Sequence, residues 1–403
     1  MTLNLAISSP NTAIISPRFA PVSVKALYVH IPFCFHKCHY CDFYSITRQT
    51  PQRMEEFIDR ILAEADFWTD GRRGPVVEPA TIFFGGGTPS LLPQNAMRRL
   101  IVGLRNRFDL SQTTEWTVEI NPATADAGYC QMLRELGVNR LSFGAQSFRA
   151  DELALLERHH DPADVPRSLE IARCAGFDRL NLDLIFALPG QSLADWSLSL
   201  ETAIALGTTH LSCYGLTYEP NTAMAVRLRL GQFSAAAEEL ELEMLHHTRD
   251  RLAAIGRPAY EVSNFAVLGD ECWHNLNYWT GGDYLALGPS GASHIQGWRW
   301  KNRPHLREWE NAIDGGNLPA VDVESLTPRQ RAGELAMLML RLENGLNFAA
   351  FTDRLGSDPL ELFAEPIDKL AKLKLVEVTP ISLRLTRAGL DVADAVAGEF
   401  LSD

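Results

Sequence analysis

The 403-residue sequence is short of positive charge and has no long apolar run. It contains 37 Lys and Arg residues against 50 Asp and Glu residues, so its formal net charge is −13. This balance argues against sequence-independent nucleic-acid binding, which needs cations that neutralise phosphates. No apolar stretch approaches the roughly 20 residues that a membrane-spanning helix needs. No basic region precedes the apolar stretches of the first 22 residues, so we expect a flexible N-terminal tail rather than a signal peptide.

Cysteine is also scarce, which argues against a disulfide framework. The chain has seven cysteines, and an odd number in a long chain fits a reducing compartment better than a set of disulfides. We therefore expect a cytoplasmic protein. The length favours one large domain and a smaller one.

Three of the cysteines lie close together, in Cys34-Phe35-His36-Lys37-Cys38-His39-Tyr40-Cys41. Thiolates are soft ligands that select zinc, copper(I) or iron–sulfur clusters. Zinc motifs usually combine two C-x2-C pairs, and no second pair occurs here, although His36 or His39 could complete a zinc knuckle. A [4Fe–4S] cluster takes one cysteine per iron, so three cysteines would leave one iron open to another ligand. The spacing therefore favours an iron–sulfur cluster over zinc.

Between residues 25 and 217, short β-rich runs alternate with segments of helical pattern. The predicted strands are 26–33, 81–84, 116–120, 140–145, 179–186 and 210–216. The predicted helices lie near 53–68, 94–107, 125–136, 165–175 and 193–206. This alternation predicts an α/β fold with a parallel sheet, and right-handed crossovers would curl six such units into an open barrel. Functional residues are then expected at the carboxyl ends of the strands.

Several candidate site residues accompany these predicted strands. Gly85-Gly86-Gly87-Thr88-Pro89 follows the second strand, where glycine permits either a tight turn or a close approach of the backbone to a ligand. Glu119 ends the third strand among apolar residues, so a cationic partner is expected unless this face is exposed. Gln146 follows the fourth strand, and Arg158, which could equally form a surface salt bridge, comes twelve residues later. Asp183 lies within the fifth strand, where a carboxylate is unusual.

The C-x3-C-x2-C spacing after the Tyr-x-His-x-Pro-Phe strand resembles the radical S-adenosylmethionine (radical SAM) superfamily, and more narrowly its coproporphyrinogen III oxidase-like branch. The resemblance implies a (β/α)6 partial barrel and a [4Fe–4S] cluster on Cys34, Cys38 and Cys41 whose open iron binds S-adenosylmethionine. Reduction of the cluster by an electron donor then yields a 5′-deoxyadenosyl radical. The residues that match the family's cofactor contacts are Tyr28, Gly86, Gly87, Thr88, Glu119, Gln146, Arg158 and Asp183.

An aromatic and glycine-rich segment after the barrel contains His274-Asn275-x-x-Tyr278-Trp279 and, further on, His294. Chemistry alone favours a packed lid over the barrel mouth ahead of a heme site, although imidazole is a common heme ligand and flat aromatics suit a tetrapyrrole. The segment also resembles the HNxxYW signature of a heme-chaperone subgroup. This resemblance implies that heme is bound, with His274 as the preferred ligand and His294 as a lesser candidate.

The chain from about residue 325 predicts a small C-terminal domain. Predicted helices at 328–342, near 366–373 and at roughly 387–400 accompany two strands, 375–378 and 382–385. Helices followed by a two-stranded wing suggest a winged-helix-like domain, but acidic residues in the last helix weigh against DNA. We expect docking or homodimer formation instead. The predicted division is a tail (1–22), a barrel (23–220), a post-barrel segment (221–324) and the C-terminal domain (325–403).

Two functions of different classes fit the resemblance. One is a heme chaperone that passes heme to an acceptor protein. The other is oxygen-independent coproporphyrinogen III dehydrogenase, a porphyrin-biosynthesis enzyme in which the radical abstracts hydrogen from a propionate before decarboxylation. The enzyme subgroup has a fourth cysteine where this chain has Phe43, and a longer extension than the 33 residues that precede Cys34 here. These features favour the chaperone.

Overall fold

The computed structural model describes residues 22–69 and 75–401, so the predicted tail up to residue 21 lies outside the described residues. The described chain contains an eleven-stranded sheet. Its strands are β1 (Ser23–Ile31), β2 (Val76–Gly86), β3 (Glu115–Ile120), β4 (Arg140–Gln146), β5 (Arg179–Phe186), β6 (His210–Gly215), β7 (Asn264–Ala266), β8 (Tyr284–Leu287), β9 (Ala292–Ile295), β10 (Trp298–Asn302) and β11 (Ala320–Ser325). They are hydrogen-bonded in the order β11-β10-β9-β8-β1-β2-β3-β4-β5-β6-β7.

Strands β1 to β6 are parallel and form the predicted open barrel, which confirms the α/β fold. The accompanying helices are α1 (Pro51–Asp66), α2 (Gln94–Arg105), α3 (Ala127–Glu135), α4 (Ala150–Leu155), α5 (Asp164–Cys174), α6 (Leu193–Ala205), α7 (Ala223–Arg229), α8 (Glu238–Ala253), α9 (Trp273–Trp279) and α10 (Leu306–Asp314). The six predicted strands correspond to β1–β6, and the five predicted helices to α1, α2, α3, α5 and α6. A short 3-10 turn, Pro89–Leu91, follows the glycine run.

Local sequence explains why these elements form where they do. In β5, Leu180, Leu182 and Leu184 are buried on one face, and Asn181 and Ile185 are buried on the other, as expected for a parallel strand covered on both faces. Helix α6 begins with a capping box, in which the Ser192 hydroxyl accepts from the backbone of Asp195 and the Asp195 carboxylate accepts from that of Ser192. Such reciprocal bonds satisfy backbone donors that the first helical turn leaves free.

Strands β8 to β11 extend the barrel sheet beyond β1, although the sequence pattern predicted no strands in this segment. Strand β8 pairs parallel with β1, whereas β9, β10 and β11 are antiparallel to their neighbours. The buried carboxyl of Glu64 on α1 fixes this extension. It accepts hydrogen bonds from the Gly288 backbone N–H (2.7 Å), Asn302 Nδ2 (2.6 Å) and Trp309 Nε1 (3.0 Å).

The C-terminal residues form a helical unit with a three-stranded antiparallel sheet, in the order β12-β14-β13. The elements are α11 (Pro328–Leu340), β12 (Leu346–Asn347), α12 (Phe348–Leu355), α13 (Pro359–Leu362), α14 (Ala364–Lys372), β13 (Val376–Val378), β14 (Ser382–Leu385), α15 (Arg387–Asp391) and α16 (Ala393–Gly398). Buried Leu335, Phe351, Phe363 and Leu383 belong to a core separate from that of the barrel. The last predicted helix is divided at Val392, whose ψ of 35° departs from helical geometry.

Within residues 22–69 and 75–401, none of the helices combines the length and apolar character of a membrane-spanning helix.

Candidate functional site

Cys34, Cys38 and Cys41 lie in the loop that follows β1, which we call the cluster loop (residues 34–41). Backbone hydrogen bonds fix its entry: Cys34 N–H donates to Ile46 O (2.9 Å), and Ile46 N–H donates to Pro32 O (2.7 Å). The loop therefore stands at the carboxyl ends of the barrel strands, as predicted.

The three thiols are free and partly exposed. Burial raises the pKa of Cys34, and raises that of Cys41 to about 11, with further increases from the neighbouring thiols. The Cys34 Sγ lies 3.7 Å from Thr88 Oγ1, and Arg158 Nη1 donates to Cys38 Sγ at 3.7 Å. Three soft donors in one loop, with polar hydrogens beside the sulfurs, fit an iron–sulfur cluster with one open iron.

The histidines of the cluster loop contact a carboxylate. His36 Nε2 and His39 Nε2 lie 2.6 Å and 3.0 Å from the two carboxylate oxygens of Glu157. Among the described residues, no group of three or more His, Cys, Asp or Glu side chains is arranged to hold a single metal ion.

The glycine run packs against the end of β1 and the two residues that lead into the cluster loop. Gly87 N–H donates to Ile31 O (2.8 Å), and Thr88 N–H donates to Phe33 O (2.7 Å). A Cβ on Gly87 would lie 2.7 Å from Phe33 O and Pro32 C, and 2.8 Å from Ile31 O. Glycine is required here because the two chain segments approach each other closely. The run therefore joins β2 to the cluster loop, while leaving Thr88 beside Cys34.

Glu119 is half-buried at the same end of the barrel, but the expected cationic partner is absent among the described residues near it. Its carboxyl accepts a hydrogen bond from the Gly86 backbone N–H (3.2 Å). Burial and the nearby Asp183 carboxyl raise the pKa of Glu119 to about 8. Asp183 accepts from Asn181 Nδ2 (2.8 Å) and Ser142 Oγ (3.2 Å), and burial raises its pKa as well. Two half-buried carboxyls thus lie together, which suits a cationic ligand.

Gln146 and Arg158 converge above Gly144. A Cβ on Gly144 would lie 2.8 Å from Gln146 Nε2 and 3.3 Å from Arg158 Nη2. Arg158 Nη2 also donates to Gly144 O (2.6 Å) and Asn121 Oδ1 (3.2 Å). Arg158 is therefore part of the cluster site rather than of a surface salt bridge.

Tyr28 is placed inside the barrel, close to Glu119. Its hydroxyl lies 3.2 Å from His30 Nδ1, and its ring stacks on Phe83 with centroids 6.3 Å apart. Burial, followed by the charge of Glu119, raises the pKa of Tyr28. The structure thus brings Tyr28 and Glu119 together, and places Thr88 and Arg158 against the cluster cysteines.

His274 is not part of this group. It is the second residue of α9 and is buried, with Nδ1 2.9 Å from Thr81 Oγ1 and Nε2 2.8 Å from Tyr278 Oη. Burial lowers the pKa of His274 to about 4. The imidazole is therefore neutral at pH 7, with both ring nitrogens engaged. His294 is half-buried, with Nδ1 3.7 Å from Asp283 Oδ1.

The sequence analysis did not single out two acidic residues that the structure places in contact with the candidate site residues, Glu115 and Glu157. The buried carboxylate of Glu115 accepts from the backbone N–H groups of Trp273 (3.1 Å) and His274 (2.9 Å) and from Arg179 Nη2 (2.8 Å), so it fixes the start of α9. The alternation of Glu115, Thr117 and Glu119 along one strand could have indicated that they share a face. No comparable pattern pointed to Glu157.

The chain is similar to known proteins over most of its length. The sequence profile of the radical SAM superfamily matches residues 28–203, and that of the HemN C-terminal domain matches residues 326–392. The heme chaperone HemW of Bacillus subtilis is 35% identical over 94% of this chain and 100% of that protein. HemW of Mycobacterium tuberculosis is 34% identical, with coverage of 96% and 97%. HemW of Escherichia coli is 39% identical, with coverage of 65% and 68%.

A solved structure shares the fold. Coproporphyrinogen III oxidase (HemN) from Escherichia coli, described as a radical SAM enzyme, superimposes with a TM-score of 0.81 at 23% identity. The match covers 94% of this chain and 90% of that one. At this identity the likeness establishes the architecture alone.

Proposed function

Because the chain belongs to the HemW family of radical SAM proteins, we propose that it is a heme chaperone that carries a [4Fe–4S] cluster and S-adenosylmethionine and passes heme to an acceptor protein. The observation that carries this proposal is the similarity to heme chaperones along nearly the whole chain. Phe43, at the position of the enzyme subgroup's fourth cysteine, supports the same choice.

In this proposal Cys34, Cys38 and Cys41 hold the cluster, and an electron-donor protein reduces it. When bound, the cluster and S-adenosylmethionine supply reductive radical chemistry. The chain's own contribution is placement and charge. Arg158 donates to Cys38 Sγ at 3.7 Å and so places a positive charge beside one of the three sulfur donors.

The same barrel end would hold S-adenosylmethionine. Gly86, Gly87 and Thr88 line the end of β2 next to the cluster loop, where the backbone can approach the aminoacyl group. Glu119 is a half-buried carboxyl without a cationic partner among its described neighbours, and once ionised it offers negative charge to the sulfonium. Asp183 is assigned to the ribose hydroxyls, with Tyr28 and Gln146 completing the set.

Heme iron is assigned to His274, with His294 as the lesser candidate. Burial keeps the His274 imidazole neutral, and a neutral imidazole is the form that binds iron. Because Tyr278 Oη lies 2.8 Å from Nε2, ligation through this nitrogen requires the Tyr278 contact to be released. Heme binding should therefore perturb α9.

A heme titration tests the proposal. The purified protein should develop a Soret band, and His274→Ala should weaken heme binding by about tenfold or more. Tyr278→Phe should bind heme at least as tightly as the wild type, because it removes the competing contact. His305→Ala, which removes an exposed histidine at the start of α10, is the matched control. Absence of a Soret band in the wild type would overturn the proposed function, and unchanged affinity in His274→Ala would remove that residue from the site.

A further inference from the structure

Glu157 occupies a backbone conformation in which glycine is the usual residue. It follows the end of α4 with φ of +53°. Its N–H donates to Ala154 O (3.1 Å), and the next N–H, of Arg158, donates to Leu153 O (2.9 Å). Helix ends of this kind favour glycine because a side chain is strained in the left-handed region. The strained backbone draws attention to what the Glu157 carboxylate contacts.

The carboxylate of Glu157 bridges two residues of the cluster loop. His36 Nε2 lies 2.6 Å from Oε2, and His39 Nε2 lies 3.0 Å from Oε1. The Nδ1 of His39 lies 3.2 Å from Arg227 Nη1, which can only donate. The His39 Nδ1 is therefore the acceptor in that contact, and Nε2 carries the proton that His39 donates to Glu157. Each histidine stands between two of the cluster cysteines in the sequence, so one side chain restrains the loop at two points.

The same turn also positions Arg158. Its guanidinium reaches Cys38 Sγ (3.7 Å) and Gly144 O (2.6 Å). The turn that holds Glu157 therefore contacts the cluster loop through two consecutive side chains.

We infer that Glu157 is a positioning residue for the cluster loop: it holds His36 and His39 so that the three thiols are preorganised to take up and retain an iron–sulfur cluster. This inference rests on the cluster that the proposed function assigns to Cys34, Cys38 and Cys41. Its physical reason is that a loop ordered before binding loses less conformational entropy when the cluster forms.

The test compares the full-length chain with Glu157→Gly and Glu157→Gln after anaerobic reconstitution. Glu157→Gly removes the carboxylate and relieves the backbone, whereas Glu157→Gln keeps the shape and removes the charge. Lys374→Gly is the matched control. Lys374 has φ of +59° and the same two hydrogen bonds after α14, Lys374 N–H to Ala371 O (2.9 Å) and Leu375 N–H to Leu370 O (3.0 Å), but it lies in the C-terminal unit.

Both Glu157 variants should release iron to a ferrous chelator about tenfold faster than the wild type, and the electron paramagnetic resonance signal of the reduced cluster should broaden. Lys374→Gly should leave both measurements unchanged. The cluster-free Lys374→Gly and Glu157→Gly proteins should melt at or slightly above the wild-type temperature, by about 1 to 2 °C, since each loses backbone strain.

If both Glu157 variants release iron at the wild-type rate, the positioning role of Glu157 is overturned, but the proposed function is not. A cluster-free Glu157→Gly protein that melts well below the wild type would also overturn it, because the carboxylate would then support the fold in general. If the wild type takes up no iron and sulfide, the assignment of a cluster to Cys34, Cys38 and Cys41 is overturned, and the role of Glu157 with it. The heme titration, measured separately, then still tests whether the protein carries heme.

Discussion

Glu119 is the residue whose charge state most directly affects cofactor binding. With a pKa raised to about 8 by burial and by Asp183, it carries a proton at pH 7 in the cofactor-free protein. A sulfonium placed nearby favours the ionised carboxylate, so binding must release this proton. Affinity for S-adenosylmethionine should therefore rise as the pH increases from about 6.5 to about 8.5.

Glu119→Gln should weaken S-adenosylmethionine binding by about tenfold and flatten the part of its pH dependence that this carboxyl supplies. Anaerobic calorimetry of the reconstituted protein at several pH values measures both effects. Glu135→Gln, an exposed change at the end of α3, is the control. Equal affinities and parallel pH curves for wild type and Glu119→Gln would exclude Glu119 from the cofactor site.

Glu64 makes stability depend on pH. Burial raises its pKa to about 7 despite three hydrogen-bond donors. Because its pKa is higher in the folded protein than in the unfolded chain, its stabilising contribution is complete below about pH 4.5 and is lost as the pH rises through about 7. The change corresponds to about 3 kcal/mol.

Urea unfolding of wild type and Glu64→Gln between about pH 5 and about pH 8 tests this effect. The amide cannot ionise, so the wild type should lose more stability over this range than Glu64→Gln. A constant difference between the two proteins across the range would contradict the raised pKa.

The chemical type of the site residues could be predicted from the sequence, but their mutual placement could not. The spacing of Cys34, Cys38 and Cys41 indicates a soft-metal motif, and the structure places the three cysteines in one loop. The proximity of Glu119 and Asp183 depends on the register between strands that are not adjacent. The sequence therefore suggested a cation beside Glu119 where the structure places a second carboxyl.

Among the elements of the barrel, the junction of β2 with residues 31–33 leaves no room for a side chain on Gly87. A Cβ on Gly87 would lie 2.7–2.8 Å from backbone atoms of residues 31, 32 and 33, which cannot move aside as a flexible side chain can. Gly87→Ala should lower the free energy of unfolding by about 2 kcal/mol or more and reduce the iron content after reconstitution.

Urea unfolding and iron analysis measure the two effects of Gly87→Ala. Gly398→Ala is the control, because a Cβ there meets no heavy atom within 4 Å and alanine favours the helix that Gly398 ends. Gly398→Ala should leave the free energy of unfolding unchanged or raise it by up to about 1 kcal/mol. If Gly87→Ala keeps normal stability and normal iron content, residue 87 and the backbone of residues 31–33 can move apart without harm to the fold or the site.

The strands and helices that could be predicted from the sequence are those determined by the hydrophobic pattern of neighbouring residues. The parallel strands β1 to β6 are runs of buried apolar residues separated by amphipathic helices, and this pattern requires no knowledge of distant contacts. Strands β8 to β11 are short, and their placement involves contacts far apart in the sequence: β8 pairs with β1, and Glu64 of α1 binds Gly288 and Asn302, more than 200 residues later. Such long-range contacts are absent from a single-sequence pattern.

At the scale of the whole molecule, the eleven-stranded sheet joins the cluster site to the HNxxYW helix. Helix α9 is fixed through His274 to Thr81 on β2 and through its first N–H groups to Glu115 on β3. Strand β2 ends at Gly86, and Glu119 is the last residue but one of β3. Heme at α9 and S-adenosylmethionine at the carboxyl ends of the strands would thus both contact residues held by β2 and β3. This shared support gives a structural route for one ligand to affect the other.

The alternative function, oxygen-independent coproporphyrinogen III dehydrogenase, can be tested by assaying the whole protein for that activity. Phe43 stands where the dehydrogenase subgroup has its fourth cysteine, and its exposed ring offers no thiolate. We expect the reconstituted protein, supplied with S-adenosylmethionine and reductant under anaerobic conditions, to leave coproporphyrinogen III unconverted. Chromatography of the oxidised porphyrins measures this, with the coproporphyrinogen III oxidase of Escherichia coli as the positive control. Decarboxylated product that increases with cluster content would reassign the protein from carrying heme to making its precursor.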